Sequence, residues 1–177
     1  MQKRNTRKRS SQVREKILDF LLWRPAEQFY EKEIAQKIDV SKSAVNLIMK
    51  LLIKEGWLSL MEKGRLNLYQ ANLGSVKVRN YKKSITLKKL DKLINYLQDR
   101  AERLILFGSA ATGEDSMISD LDILIVSSRE LRMKKIRKLL PNDRQGQIII
   151  KTADEFRELR SKNKVFYQSI MRGESLI

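Results

Sequence analysis

Apolar residues recur at helical spacing in the first part of the chain. From Ser11, the residues Val13, Ile17, Phe20 and Leu21 fall on one helix face, and Arg24-Pro25 stops the run. A second helix fits Glu31 to Ile38, burying Ile34, Ala35 and Ile38, and Asp39-Val40 turns the chain. Ser41 then caps a third helix running to about Glu55, because its hydroxyl accepts from an otherwise unpaired amide of the first turn. The inner face of that helix is Val45, Ile48, Met49 and Leu52, and Gly56 ends it. Leu47, Leu51 and Ile53 leave it apolar nearly all round, which predicts an additional apolar contact. At Trp57 the period changes to that of strands: Trp57 to Met61 and Leu66 to Ala71 read as a hairpin around Glu62-Lys63-Gly64-Arg65.

Residues 74–84 lack strong periodicity and carry Lys77, Arg79, Lys82 and Lys83, so they read as a basic linker. Leu87, Leu90, Leu93, Ile94 and Leu97 then mark an amphipathic helix that leads into the stretch LILFGSAATGEDSMISDLDILIV, Leu104 to Val126. Here an apolar strand ends at Gly108-Ser109, a polar segment follows, and Asp120-Leu121-Asp122 enters a second apolar strand. Asp120 and Asp122 are two residues apart, so an extended backbone sends both carboxylates from one face. Such a pair repels itself unless a cation sits between the two, and an oxygen-only donor set suits Mg²⁺. Gly108 allows close backbone approach, and amides after it suit phosphate. A basic helix from about Arg129 to Leu140 and a third strand over Gln147 to Lys151 come next. Thr152 and Glu155 have the spacing of a capping box, which makes Asp154 and Glu155 helix-start residues and not catalytic acids.

Charge sharpens this picture. The chain of 177 residues carries a net +16. Residues 1–100 hold 23 basic and 10 acidic side chains, and residues 101–177 hold 14 and 11, so the excess belongs to the first part. That placement implies a polyanionic partner, nucleic acid before membrane. Residues 1–10, with Arg7 and Arg9 among them, have too little apolar content to repay ordering and read as a disordered basic arm able to touch phosphates. Cysteine and histidine are both absent, which excludes disulfides, thiolate or imidazole metal sites and histidine acid–base chemistry. No apolar run approaches the ~20 residues that span a bilayer, and the basic N-terminus lacks the apolar core of a secretory signal. A cytoplasmic location is the expectation.

The Gly-Ser turn, the ten residues after it and the Asp-x-Asp pair between two apolar strands resemble the nucleotidyltransferase superfamily related to DNA polymerase beta, in its minimal form. The resemblance implies that Gly108 and Ser109 hold the phosphates of a nucleoside triphosphate and that Asp120 and Asp122 bind Mg²⁺ as the catalytic carboxylates. The family takes a third carboxylate from the next strand, where this chain offers Gln147, and minimal members often carry an arginine at the position of Thr112. Residues 11–73 look like a winged helix-turn-helix, with VSKSAVNLIMKLLIKEGWL similar to the recognition helix of prokaryotic repressors. That likeness implies that Lys42, Ser43, Asn46 and Lys50 face double-stranded DNA and that Lys63 and Arg65 tip the wing. The closing segment from Lys164 resembles that of prokaryotic proteins in which the two modules are fused.

The expected fold class is therefore α+β: an N-terminal winged helix-turn-helix over residues 11–73, a linker at 74–84, and over 85–177 a small α/β nucleotidyltransferase-like domain with a short mixed sheet. The leading expectation is a DNA-binding transcriptional regulator, a homodimer, whose second domain binds nucleotide with Mg²⁺ or a protein partner. Two alternatives stand beside it. One is an active transferase that moves a nucleotidyl group to a hydroxyl of a toxin-like protein partner, as antitoxin-type members do. The other is an interaction module that binds no nucleotide. Because Gln147 is neutral, the resemblance leaves open whether the chain is an enzyme.

Overall fold

The computed structural model describes residues 10–64 and 66–177, together with the bounds of a first helix that reaches back to Gln2. The chain divides into two units, Met1–Val78 and Arg79–Ile177.

The first unit holds α1 (Gln2–Leu22), β1 (Phe29–Tyr30), α2 (Glu31–Lys37), α3 (Lys42–Lys54), β2 (Leu58–Lys63) and β3 (Leu66–Ala71). The strands form an antiparallel sheet in the order β1-β3-β2, and the hairpin register runs from Leu58 opposite Ala71 to Lys63 opposite Leu66. Ile17, Leu21, Ile34, Val45, Met49 and Leu52 are buried, as the helical spacing required. Ser41 caps α3 by accepting from the Ala44 amide at 3.4 Å, and Gly56 takes a φ of +75° just beyond its end. Of the disordered basic arm expected over residues 1–10, residues 1–9 lie outside the described residues, although the bounds of α1 reach back to Gln2. The side chains of Arg7 and Arg9 lie outside the described residues, as does Arg65 at the hairpin tip.

Residues 74–84, expected as a linker without periodicity, are helical: α4 runs unbroken over Val76–Leu97, and the division between the two units, after Val78, falls within it. Its buried stripe is Val78, Lys82, Thr86, Leu90, Leu93 and Leu97. The spacing is helical throughout, but two of the inward positions are polar, so a purely apolar count sees the helix begin too late.

The second unit adds β4 (Arg103–Phe107), α5 (Gly108–Thr112), β5 (Leu121–Val126), α6 (Met133–Leu139), β6 (Gly146–Lys151), α7 (Ala153–Lys162), α8 (Lys164–Met171) and β7 (Glu174–Ser175). The sheet order is β6-β5-β4-β7, with β5 and β6 parallel and the other pairs antiparallel. It is the short mixed sheet that was expected. Alternation along β4 and β5 gives the sheet two apolar faces. One buries Leu104, Leu106, Ile123 and Ile125 with Leu90, Leu93 and Leu97 of α4 and Ile136 of α6. The other buries Ile105, Phe107, Leu124 and Val126 with Phe156 of α7 and Ile170 of α8. Thr152 and Glu155 form the anticipated capping box at the start of α7. Among the described residues no helix is long and apolar enough to cross a membrane.

Candidate functional site

The carboxylates stand where β4 and β5 meet at the end of the sheet. Asp122 pairs in register with Phe107 on one side and with Gln147 on the other. Alternation puts it on the face that carries Leu124 and Val126, at the end of that apolar row, where it is half-buried. Gly108 follows Phe107 at once and has a φ of +71°, a conformation that side chains strain to adopt. A Cβ on it would collide with Asp122 Oδ2, so the missing side chain is what lets the carboxylate lie against the turn. Ser109 is half-buried in the first turn of the five-residue helix α5. Thr112, where minimal members often have arginine, is exposed and bonds locally to the Ser109 carbonyl at 3.1 Å and to Glu114 at 3.2 Å.

Burial pushes the Asp122 carboxyl above the usual aspartate range, and the neighbouring Asp120 charge pushes it further. The pair therefore carries uncompensated negative charge, which a divalent cation would neutralise. Among the described residues no group of three or more Asp, Glu, His or Cys side chains is arranged to hold a metal ion. Asp120 and Asp122 are the two carboxylates that could face a cation here. Gln147 sits exposed beside Asp122 and adds no charge to it.

Asp120 is presented by a tightly built loop. Ser119 Oγ accepts from the Ser116 amide at 2.9 Å, and the Leu121 amide donates to the Gln145 carbonyl at 2.8 Å. Next to Asp120 a cleft of about 460 Å³ is lined by Met117, Ile118, Asn142, Asp143 and Gln145 among others, with Ile118 94 % exposed.

Sequence reasoning missed what anchors this loop. Asp115 is fully buried, and Arg144 donates to its Oδ2. Lys82 of α4, also fully buried, donates to the Asp115 carbonyl and places its Nζ 3.4 Å from Oδ1. Arg144 further donates to Thr86 Oγ1 at 3.0 Å. Three segments far apart in sequence are joined through one carboxylate. Burial pulls the Lys82 ammonium below the usual lysine range, and the Asp115 charge opposes that shift. The available signal was Lys82 and Thr86 in helical register with Val78 and Leu90.

In the first unit, Lys42, Ser43 and Lys50 are exposed on α3, and Lys63 is exposed at the end of β2. Leu47 and Leu51 share this outward surface at 62 % and 44 % exposure, whereas Ile53 is half-buried and offers less of the spare apolar area expected of it. The half-buried Asn46 side chain is already bonded within this unit. Its amide donates to Glu31 Oε1 at 2.7 Å, and the Tyr69 hydroxyl donates to the same oxygen at 2.8 Å. Burial, then the Glu31 bond, pushes the Tyr69 hydroxyl up to about 12. Asn46 thus ties α3 to α2 and β3, and a base contact would compete with that bond. Asn46→Ala is expected to cost about 1.5–3 kcal/mol of stability, the scale of a hydrogen bond to a charged acceptor. Urea titration followed by Trp57 fluorescence reads it, and an unchanged midpoint would show that the bond contributes nothing.

Comparison with known proteins adds to this geometry. Residues 91–177 match the family described as "Polymerase beta, Nucleotidyltransferase". The second unit thus carries a nucleotidyltransferase-like domain. No curated protein matches the chain. A crystal structure of Pseudomonas aeruginosa HmgR aligns with 80 % of the chain at 15 % identity and a TM-score of 0.35, and the chain covers 55 % of that structure's length.

Proposed function

We propose that this chain is a cytoplasmic DNA-binding transcriptional regulator whose nucleotidyltransferase-like domain binds a nucleoside triphosphate with Mg²⁺, or docks a protein partner there. The observation that carries the nucleotide reading is the Asp122 carboxylate, held half-buried against Gly108, whose φ of +71° and close approach to Oδ2 both favour glycine. Asp120 and Asp122 would hold the cation, and Gly108 and Ser109 would receive the phosphates. When bound, the ion supplies charge neutralisation for the triphosphate. The cleft beside Asp120 gives room for a base or an acceptor.

The intact Gly108, Ser109, Asp120 and Asp122 also favour the second reading, transfer of a nucleotidyl group to a hydroxyl of a toxin-like partner. That reaction requires the hydroxyl to lose its proton, and Gln147 next to Asp122 can neither accept it nor contribute charge. Binding without rapid transfer is the reading we prefer.

The DNA half rests on the exposed Lys42, Ser43 and Lys50 of α3, with Lys63 on the hairpin and the charge excess of residues 1–100. Three helices and a three-stranded antiparallel sheet, in the chain order α1-β1-α2-α3-β2-β3, support the winged helix-turn-helix reading. Leu47 and Leu51 provide apolar surface for pairing with a second copy. Duplex binding should weaken steeply with salt, and Lys42→Ala with Lys50→Ala should reduce the log–log slope by roughly 0.9 for each phosphate that the chain no longer neutralises. Gel shifts across salt concentrations, with sedimentation of the complex, test this. Two chains per duplex are expected, and absence of binding at ~50 mM salt, where screening is weak, would rule the proposal out.

A further inference from the structure

The opposite end of the second unit's sheet carries a cationic cleft that the nucleotide site does not use. Asp122 lies beside Phe107 at one end of the β4–β5 pair, whereas Val126 lies beside Arg103 at the other. Around that far end, Tyr96, Arg100, Arg129, Arg132 and Lys135 line a cavity of about 600 Å³, with Glu130 as its one carboxylate.

The cations are arranged and not merely crowded. The buried Ser127 hydroxyl lies 2.9 Å from the Arg100 carbonyl, accepts from the Arg129 amide at 3.1 Å, and so fixes the two backbones together. The Arg129 guanidinium donates to the Asp99 carbonyl at 2.9 Å. Arg100 donates to the Tyr96 carbonyl at 2.8 Å while its guanidinium lies over the Tyr96 ring, 4.7 Å from the centroid. Carbonyls orient these groups without cancelling their charge. Among the described residues, none of the four cations lining the cleft is ion-paired with a carboxylate, although surface lysines and arginines elsewhere in the unit are.

We propose that this cleft binds the phosphodiester backbone of a single-stranded nucleic acid, independently of α3. Fixed guanidinium groups suit phosphate oxygens. Arg100 and Tyr96, with the guanidinium over the ring, offer planar groups against which an unpaired base can lie, as aromatic and guanidinium planes do in strand-binding proteins. The row continues along α6 through the exposed Lys134, Arg137 and Lys138, with no acidic residue between Arg132 and Leu140. A polyanion longer than one nucleotide would neutralise that row, which a free nucleotide would not reach.

The test uses the full chain and a short fluorescein-labelled oligonucleotide without secondary structure. Arg129→Ser, Arg132→Ser and Lys135→Ser combined should weaken strand binding about tenfold or more at low salt and lower the salt slope by roughly 2, from ~0.7 per neutralised phosphate on single strands. Ultraviolet crosslinking followed by mass spectrometry should place the adduct on Tyr96 in the native chain and lose it in the triple variant. Lys42→Ala with Lys50→Ala on α3 should leave the Tyr96 adduct in place. Lys135→Glu, a single exposed change, repeats the direction in a variant that disturbs no hydrogen bond. An unchanged salt slope in the triple variant, or a strand adduct confined to the first unit, would overturn the proposal. So would displacement of the strand by inorganic tripolyphosphate at equal phosphate concentration, since the site would then take free polyphosphate.

Discussion

Asp115→Asn is expected to lower the stability of residues 79–177 by about 3–5 kcal/mol, the cost of breaking a buried ion pair from one side. The substitution barely changes volume. It removes the carboxylate charge set between Lys82 and Arg144, both nearly or fully withdrawn from water, and leaves their like charges facing each other across a neutral amide. The loss should depend on pH with a defined sign. Burial already lowers the Lys82 pKa, and without Asp115 it falls further. Between that lowered value and the ordinary lysine value the unfolded chain then binds more protons than the folded one, so the variant should regain stability as pH rises. Hydrogen exchange of the β4 and β5 amides measures this unit alone. Lys82→Met should be far milder, because Asp115 keeps Arg144 and the methionine fills the space of the lysine stem. Equal losses in the two variants would show that packing, and not charge, governs the site.

Asp122→Asn is expected to abolish Mg²⁺-dependent triphosphate binding. Losing an outer-shell partner of a metal ligand already costs about 10–100-fold in affinity, and Asp122 is itself a proposed ligand. The same change should stabilise the protein in the absence of ligand. The native carboxyl titrates above its ordinary value because it is half-buried beside Asp120. The folded state therefore holds a proton that the unfolded state releases, and stability falls as pH rises through that interval. Above it the penalty persists, and the uncharged amide escapes it. Opposite signs for binding and stability are the mark of a residue kept for function. Calorimetry with ATP, GTP, CTP and UTP, beside thermal melts near neutral pH, reads both. Gln147→Asp places a third carboxylate next to Asp122, and it should bring in Mg²⁺-dependent nucleotidylation of an acceptor protein that the native chain modifies slowly or not at all. Mass spectrometry of the chain and its partners detects the product, and robust transfer by the native protein would make the enzyme reading correct.

Local chemistry was enough for much of this molecule. The spacing of Ile17 and Leu21, the cap at Ser41, the hairpin at residues 58–71, the capping box at Thr152 and the strand–turn–strand around Gly108 each depend on neighbours within one or two turns of chain. Such features leave a period or a cap in the sequence, and the candidate carboxylates could be named for the same reason. Tertiary structure decided what depends on distant partners. Lys82 and Thr86 read as polar until Asp115 and Arg144 arrive from other segments to pair with them, so the first half of α4 was hidden as a linker. Asn46 read as an open side chain until Glu31 and Tyr69 closed on it. The cleft at Tyr96 exists only because β4 and β5, pairing antiparallel, bring residues before Arg103 and after Val126 to one end of the sheet. In each case a polar group is buried or aimed by a partner on another segment, and a count of apolar positions, which reports only on near neighbours, does not reveal the partner.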